Sequence, residues 1–217
     1  MRITRLGKRA AAVTTAALVA SALAAAPADA HGKTKPLSTR SLATVLTADK
    51  SGFDHNGRDY DILTAAVLAV LKAKPSSPVG VLADGKTALT AFIPNDRAFE
   101  ILVADLQHSK RLPSEKKAFT AVAGLGIDTV ETVLLYHVVP GATIDRKAAL
   151  KSDNARLKTA AGSSVKVDVY GGWWKRVKLI DADRNDRNPR VIKFDVNKGN
   201  RQIAHGIDRV LRPIDLP

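Results

Sequence analysis

The chain has 217 residues, with 34 Lys and Arg against 21 Asp and Glu and a formal net charge of +13. Hydrophobic residues at 45% and charged residues at 25% are globular values and exclude a disordered or collagen-like chain. There is no cysteine, which excludes a disulfide scaffold, Cys-ligated zinc, iron–sulfur clusters, thiol nucleophiles and a lipoprotein anchor.

Arg2, Arg5, Lys8 and Arg9 form a positive n-region, and nothing from Ala10 to Ala26 is charged. Pro27 breaks any helix, and Ala28-Asp29-Ala30 fits a small-x-small cleavage site. Residues 1–30 are therefore expected to be a secretory signal peptide cut before His31. The apolar run is mostly alanine and falls short of the roughly 20 residues that a membrane anchor needs. Lys8-Arg9 is a weak echo of a twin-arginine signal, and Sec export is the default. Cleavage removes four basic residues and Asp29, so the charge falls from +13 to +10. Outside a cell, that surplus attracts wall polymers, acidic polysaccharides and nucleic acid through its summed field. No basic run reads as a dedicated nucleic-acid arm.

Residues 31–40 are polar, basic and broken by Pro36, which reads as a flexible leader. Ser41 is placed to cap a short helix with Leu42, Val45 and Leu46 on one side. After a loop rich in Gly, Asp and Asn, Asp61 is expected to cap a helix running to Lys74. Its apolar residues, Ile62 to Leu71, go nearly all the way round, which predicts a central, buried helix. Residues 87–93 put Leu89, Ala91 and Ile93 on one face of a strand. Pro94 ends it, and Asn95 caps a helix whose stripe is Phe99, Leu102, Val103 and Leu106. Ser114 starts another helix. Asp128 with Glu131 resembles a capping box for a helix through His137, and Pro140-Gly141 turns the chain.

From Ala155 the period changes to 2. Val165, Val167 and Val169 alternate with polar neighbours, as do Val177 and Leu179, with Gly171-Gly172 between the runs suggesting a hairpin. Residues 191–196, 202–207 and 210–211 complete the strand-like runs. Helices first and strands second, with no internal repeat, predict one α+β domain over residues 41–217.

Three segments stand out in order. The first is Thr90 to Phe99 (TAFIPNDRAF), carrying Phe92, Pro94, Asn95 and Phe99. The second is Leu135 to Gly141 (LYHVVPG), carrying Tyr136, His137, Pro140 and Gly141. The third is Ile203 to Pro213 (IAHGIDRVLRP), carrying His205, Ile207, Asp208, Val210, Leu211 and Pro213. Together they resemble the fasciclin domain family, in the form of a secreted bacterial single-domain member. Asn200-Arg201 replaces the family's usual Asn-Gly, and residues 51–84 are longer than usual. The resemblance implies a wedge: a β-sandwich-like sheet of about seven strands with several helices alongside. It also implies an adhesion or extracellular-matrix module, secreted or wall-associated, contacting a cell-surface protein or polysaccharide. The signature residues are expected to be mainly structural. His137, on an apolar stripe, reads as a buried, hydrogen-bonded imidazole.

Catalytic chemistry is not written in the sequence, and no catalytic, cofactor-binding or metal-binding residue is expected. The five histidines include no i, i+4 pair, and no nucleophile elbow, P-loop or dinucleotide fingerprint is present. Asp181-x-Asp183-x-Asn185 begins like an EF-hand loop, but Asp186 replaces the required Gly and Ile192 the bidentate Glu. Asp54, Asn56, Asp59 and Asp61 are also oxygen-rich. Both stretches read as solvated turns. Trp173-Trp174 on a strand would send one ring into the core and leave the other exposed. Beside Lys175, Arg176 and Lys178, an exposed indole could stack on a sugar or a base, and the favoured alternative is packing across the hairpin turn. The competing readings are a binder of anionic wall polymer through that basic surface and a carrier of a small ligand in an apolar pocket. No specific nucleic-acid partner and no membrane anchor in the mature chain are expected.

Overall fold

The change of period near residue 155 does not divide the molecule in space, because strands from both halves of the chain share one sheet. The computed structural model describes residues 35–214; the expected signal peptide and its cleavage site lie outside them. Six α-helices are described: α1 (Leu42–Leu46), α2 (Asp61–Ala73), α3 (Asp96–Leu106), α4 (Glu115–Gly124), α5 (Ile127–Tyr136) and α6 (Arg146–Ala149), with a 3-10 turn at Pro78–Ala83. The seven strands are β1 (Leu89–Pro94), β2 (Val138–Pro140), β3 (Arg156–Lys158), β4 (Ser164–Tyr170), β5 (Arg176–Ile180), β6 (Val191–Val196) and β7 (Gln202–Ile207). The class is α+β.

The strands form a four-stranded sheet, β2-β1-β7-β6, and a three-stranded sheet, β3-β4-β5. β1 and β7 run parallel, Leu89 opposite Gln202 through Pro94 opposite Ile207. Both are buried at every position. Such double burial requires cover on both faces, and two apolar cores supply it. Leu89, Ala91 and Ile93 pack with the helices, around Ile62, Val70, Phe99, Leu102 and Leu134. Phe92, Val139 and Ile207 face the other way, against Val165, Val167, Val177 and Leu179 of the smaller sheet. At Gly206 of β7, an added Cβ would lie 2.5 Å from the Tyr60 hydroxyl, so glycine lets loop and strand close up.

Several local expectations are corrected. Asp61 does not cap α2; it is the first helical residue, and the cap is supplied from α3. The Asp61 N–H donates to Asp96 Oδ2 (3.1 Å) and the Ile62 N–H to Asp96 Oδ1 (2.9 Å). α2 buries one side but leaves Leu68 exposed, so it is not surrounded. Asp128 and Glu131 form no capping box: Gly126, at φ +88°, precedes α5 without a side-chain cap, and both carboxylates pair with Lys74. Residues 210–211 are not a strand. β2, α6 and the 3-10 turn are too short for periodicity to reveal. The end of the leader is fastened: the Ser38 N–H donates to Gly199 O (2.8 Å), and the Arg40 N–H to Asn200 Oδ1 (2.9 Å). Asn95 does cap α3, its side chain accepting from the Ala98 N–H at 3.0 Å.

Candidate functional site

The three signature segments meet along β1, β7 and the end of α5, and their polar members are spent on the fold. His137 is 4% exposed. Its Nδ1 lies 2.7 Å from Val133 O, and its Nε2 accepts from the Leu211 N–H at 2.9 Å. Those partners fix the Nδ1–H tautomer. Burial pushes its pKa down to about 4, so the ring is neutral. His205 Nε2 lies 2.8 Å from Ile144 O, and its Nδ1 accepts from the Asp195 N–H at 3.2 Å. Phe92, Phe99, Tyr136, Ile207, Val210 and Leu211 are buried, with Pro94 at the end of β1. Gly141, at φ +81°, makes the turn after Pro140, and Asp208 pairs with Arg190 at 3.0 Å. Pro213 is half-buried. None of these residues presents an open functional group.

The Asp181–Asn185 stretch is not a solvated turn. Asp181 Oδ2 accepts from the Arg212 N–H at 2.8 Å, and Asp183 Oδ2 lies 3.2 Å from the Arg212 guanidinium. Asp105 and Asp186 complete that network around Arg212, 3.0 and 3.1 Å away. These acids, Asp105 from α3 and the others from the segment after β5, hold the C-terminal strap (residues 208–214) in place.

The β4–β5 tip is different. Trp173 and Trp174 lie in the loop between the strands, where strand alternation does not apply. The expectation that one ring enters the core is therefore corrected: Trp173 is 99% exposed and Trp174 85%. Lys175 and Arg176 are exposed beside them. Lys178 is not part of this surface, since its Nζ pairs with Asp168 at 2.8 Å and lies 5.7 Å from the Tyr170 ring centroid. The strand pairing from Lys166 opposite Ile180 to Tyr170 opposite Arg176 makes a firm base for the tip. Two adjacent indoles in water on such a base form a surface that costs solvation and offers contact.

A second cluster was visible in the sequence only in part: Asp54, Asp59 and Asp61 form the oxygen-rich stretch noted above, while Asp96 and Glu115 are far from it in the chain. Asp54, Asp61 and Glu115 bring carboxylate oxygens within 4.8 Å of one another, and Asp59, Asp61 and Asp96 do the same. The Asp54–Asp61 stretch is thus no simple solvated turn. Asp61, Asp96 and Glu115 each open a helix, and the packing of α2, α3 and α4 gathers those openings. Burial, then the charge of Asp59, raises Asp61 to about 6; burial, then the closeness of the Asp59 carboxylate, raises Asp96 to about 8. Burial also raises Glu115.

An apolar cavity of about 110 Å³ lies between the helices and the C-terminal strap, lined by Phe99, Leu102, Val130, Leu134 and His137 among others. It is smaller than the roughly 300 Å³ at which small-molecule pockets begin. Among the described residues, no single helix is long and apolar enough to cross a membrane.

Two sheets and a helical layer converging on the signature strands define an α+β domain. The fasciclin domain family model matches residues 63–213, and the chain belongs to that family. Among solved structures it is similar to a FAS1 domain pair from the insect cell adhesion molecule fasciclin I. The TM-score is 0.53 at 20% identity, over 82% of this chain and 51% of that one. The chain thus spans about half the length of that structure. A search of curated protein sequences found no match.

Proposed function

We propose that this chain is an exported, non-enzymatic adhesion module that grips an anionic cell-surface polysaccharide with the β4–β5 tip. The family supports the class, because fasciclin domains are typically adhesion-type modules of extracellular proteins. The observation that carries the tip assignment is the near-complete exposure of both Trp173 and Trp174 beside Lys175 and Arg176. Indole faces stack on the apolar faces of sugar rings, while the two cations attract acidic substituents. The basic chain as a whole, at +10 after cleavage, captures the polymer at longer range, and the tip retains it.

Retention on an immobilised acidic polysaccharide across a salt series tests the reading. A charge-driven capture step weakens as salt shortens the screening length to about 8 Å near 0.15 M, and a residual attachment persists at about 0.5 M. Replacing Trp173 and Trp174 together with Ala removes the residual part; neutralising Lys175 and Arg176 reduces the capture step. If all retention disappears at high salt, the chain is a simple polyanion binder. Retention by the double Trp variant equal to that of the native chain removes the tip from the reading. Export is tested separately, by N-terminal sequencing of culture supernatant, with His31 expected as the first residue.

A further inference from the structure

Six buried side-chain polar atoms among the described residues lack a hydrogen-bond partner, and four belong to the acidic cluster: both carboxylate oxygens of Asp59, Asp61 Oδ2 and Glu115 Oε1. Glu115 is 1% exposed and Asp61 9%. The other Glu115 oxygen accepts from the His55 N–H at 3.0 Å, which aims the carboxylate at the 54–61 loop. Among the described residues, no Lys, Arg or His forms an ion pair with any of the five carboxylates; Arg97, beside Asp96 in sequence, pairs with Glu100. Buried carboxylates that face one another without a cation are costly, and the usual remedies are a paired charge or a metal.

The donor set says which metal. It is all carboxylate oxygen, with no nitrogen or sulfur, and so suits a hard cation. Oxygens within 4.8 Å of one another can surround an ion that binds at about 2.3–2.6 Å. A loop donor, exposed Asp54, with helix-terminal donors suits the flexible coordination of calcium better than the rigid octahedron of magnesium. We propose that Asp54, Asp61 and Glu115 bind a Ca²⁺ ion, with Asp59 and Asp96 as the second carboxylate pair sharing Asp61. The ion would tie Asp54 of the loop to the first turns of α2 and α4 at once. Such a site, open on one side, belongs with extracellular calcium modules of about 10⁻⁴–10⁻³ M affinity.

The test is a thermal melt of the chelator-treated, purified chain, titrated with CaCl₂ and in parallel with MgCl₂. About 5 mM CaCl₂ is expected to raise Tm by about 2–4 °C, and MgCl₂ by less than half of that. Asp54→Asn, at an exposed loop position, leaves the metal-free Tm unchanged and weakens the calcium response at least about tenfold. Glu115→Gln abolishes it, and calorimetric titration of both variants, with circular dichroism to check folding, separates lost binding from lost structure. Absence of a Tm rise and of binding heat up to about 10 mM CaCl₂, well above that affinity range, overturns the proposal and leaves the three carboxylates serving only their own helix N-termini. A response unchanged in both variants places calcium elsewhere, and an equal response to MgCl₂ overturns the calcium assignment.

Discussion

His137 and Glu115 are both almost wholly buried, yet they are housed in opposite ways. Each His137 ring nitrogen has a backbone partner, from α5 on one side and the C-terminal strap on the other. Glu115 has one oxygen bonded and one orphaned, among four other carboxylates. The first arrangement is a structural polar group: neutral, satisfied and apolar in its surroundings. The second concentrates charge of one sign where the fold alone gains nothing from it. Complete hydrogen bonding marks residues that build the molecule, and incomplete bonding marks residues available for something else.

The two clusters also respond oppositely to pH. His137 titrates near 4 when folded and near 6.5 when unfolded, so the unfolded chain takes up the proton first as pH falls. Its contribution is complete above about pH 6.5 and is lost towards pH 4. Asp61 and Asp96 have folded values raised by burial to about 6 and about 8. Their native forms hold protons that the unfolded chain has released, so their contribution declines as pH rises from about 4 towards 8.

The apolar frame around His137 sets the scale for the comparison. Phe99 is buried on the α3 stripe and lines the same cavity as His137. Phe99→Ala is expected to cost about 3–5 kcal/mol in denaturant melts. A loss below about 1 kcal/mol would mean that α3 does not anchor this core.

Protonating His137 comes next, at up to about 3 kcal/mol between pH 6.5 and 4. His205, also depressed by burial, adds in the same direction. NMR isolates the His137 share: its ring signals should remain those of neutral imidazole down to about pH 5. Titration near 6.5 instead would break the contrast, because His137 would then be no more sequestered than a surface histidine.

The acidic cluster should show the reverse, a stabilising loss of charge. In calcium-free buffer at pH 7.5, Asp59→Asn is expected to raise stability by about 1 kcal/mol, as charge optimisation does elsewhere. The amide can donate to a neighbouring carboxylate, and Asp59 is among the groups raising Asp61, Asp96 and Glu115. Destabilisation by the same amount would show that the Asp59 charge is already compensated.

The difference between the two clusters also explains what the sequence could and could not convey. Phe99, His137 and the β1 and β7 runs were legible because each sits in a local periodic pattern with a local consequence. The acidic cluster joins residues 54, 59 and 61, which showed as one oxygen-rich stretch, to residues 96 and 115, which only the packing of three helix openings makes their neighbours. Asp61 looked like a cap because the type and position suited one; the actual cap, Asp96, is 35 residues away. Trp173 and Trp174 were misplaced for the opposite reason. The strand period was extended through a loop that Gly171, at φ +89°, had already turned out of the sheet.

That tip supplies the smallest expected effect on stability and the sharpest separation of fold from function. With 99% and 85% of their surface in water, Trp173 and Trp174 contribute almost no burial to lose. Replacing both with Ala should change ΔG of unfolding by no more than about 0.5 kcal/mol, the range of surface substitutions away from special features. The β4–β5 pairing from Lys166 to Ile180 and the core residues Val167, Val177 and Leu179 beneath it would be untouched. If the tip is an attachment surface, salt-resistant retention on acidic polysaccharide falls by at least about tenfold, the effect of losing one or two aromatic anchors. Urea melts of the native and double-variant chains, run beside the retention assay, read both quantities on the same preparations. A large loss of stability would mean that the indoles pack against the sheet in solution, and their exposure could no longer support a docking role.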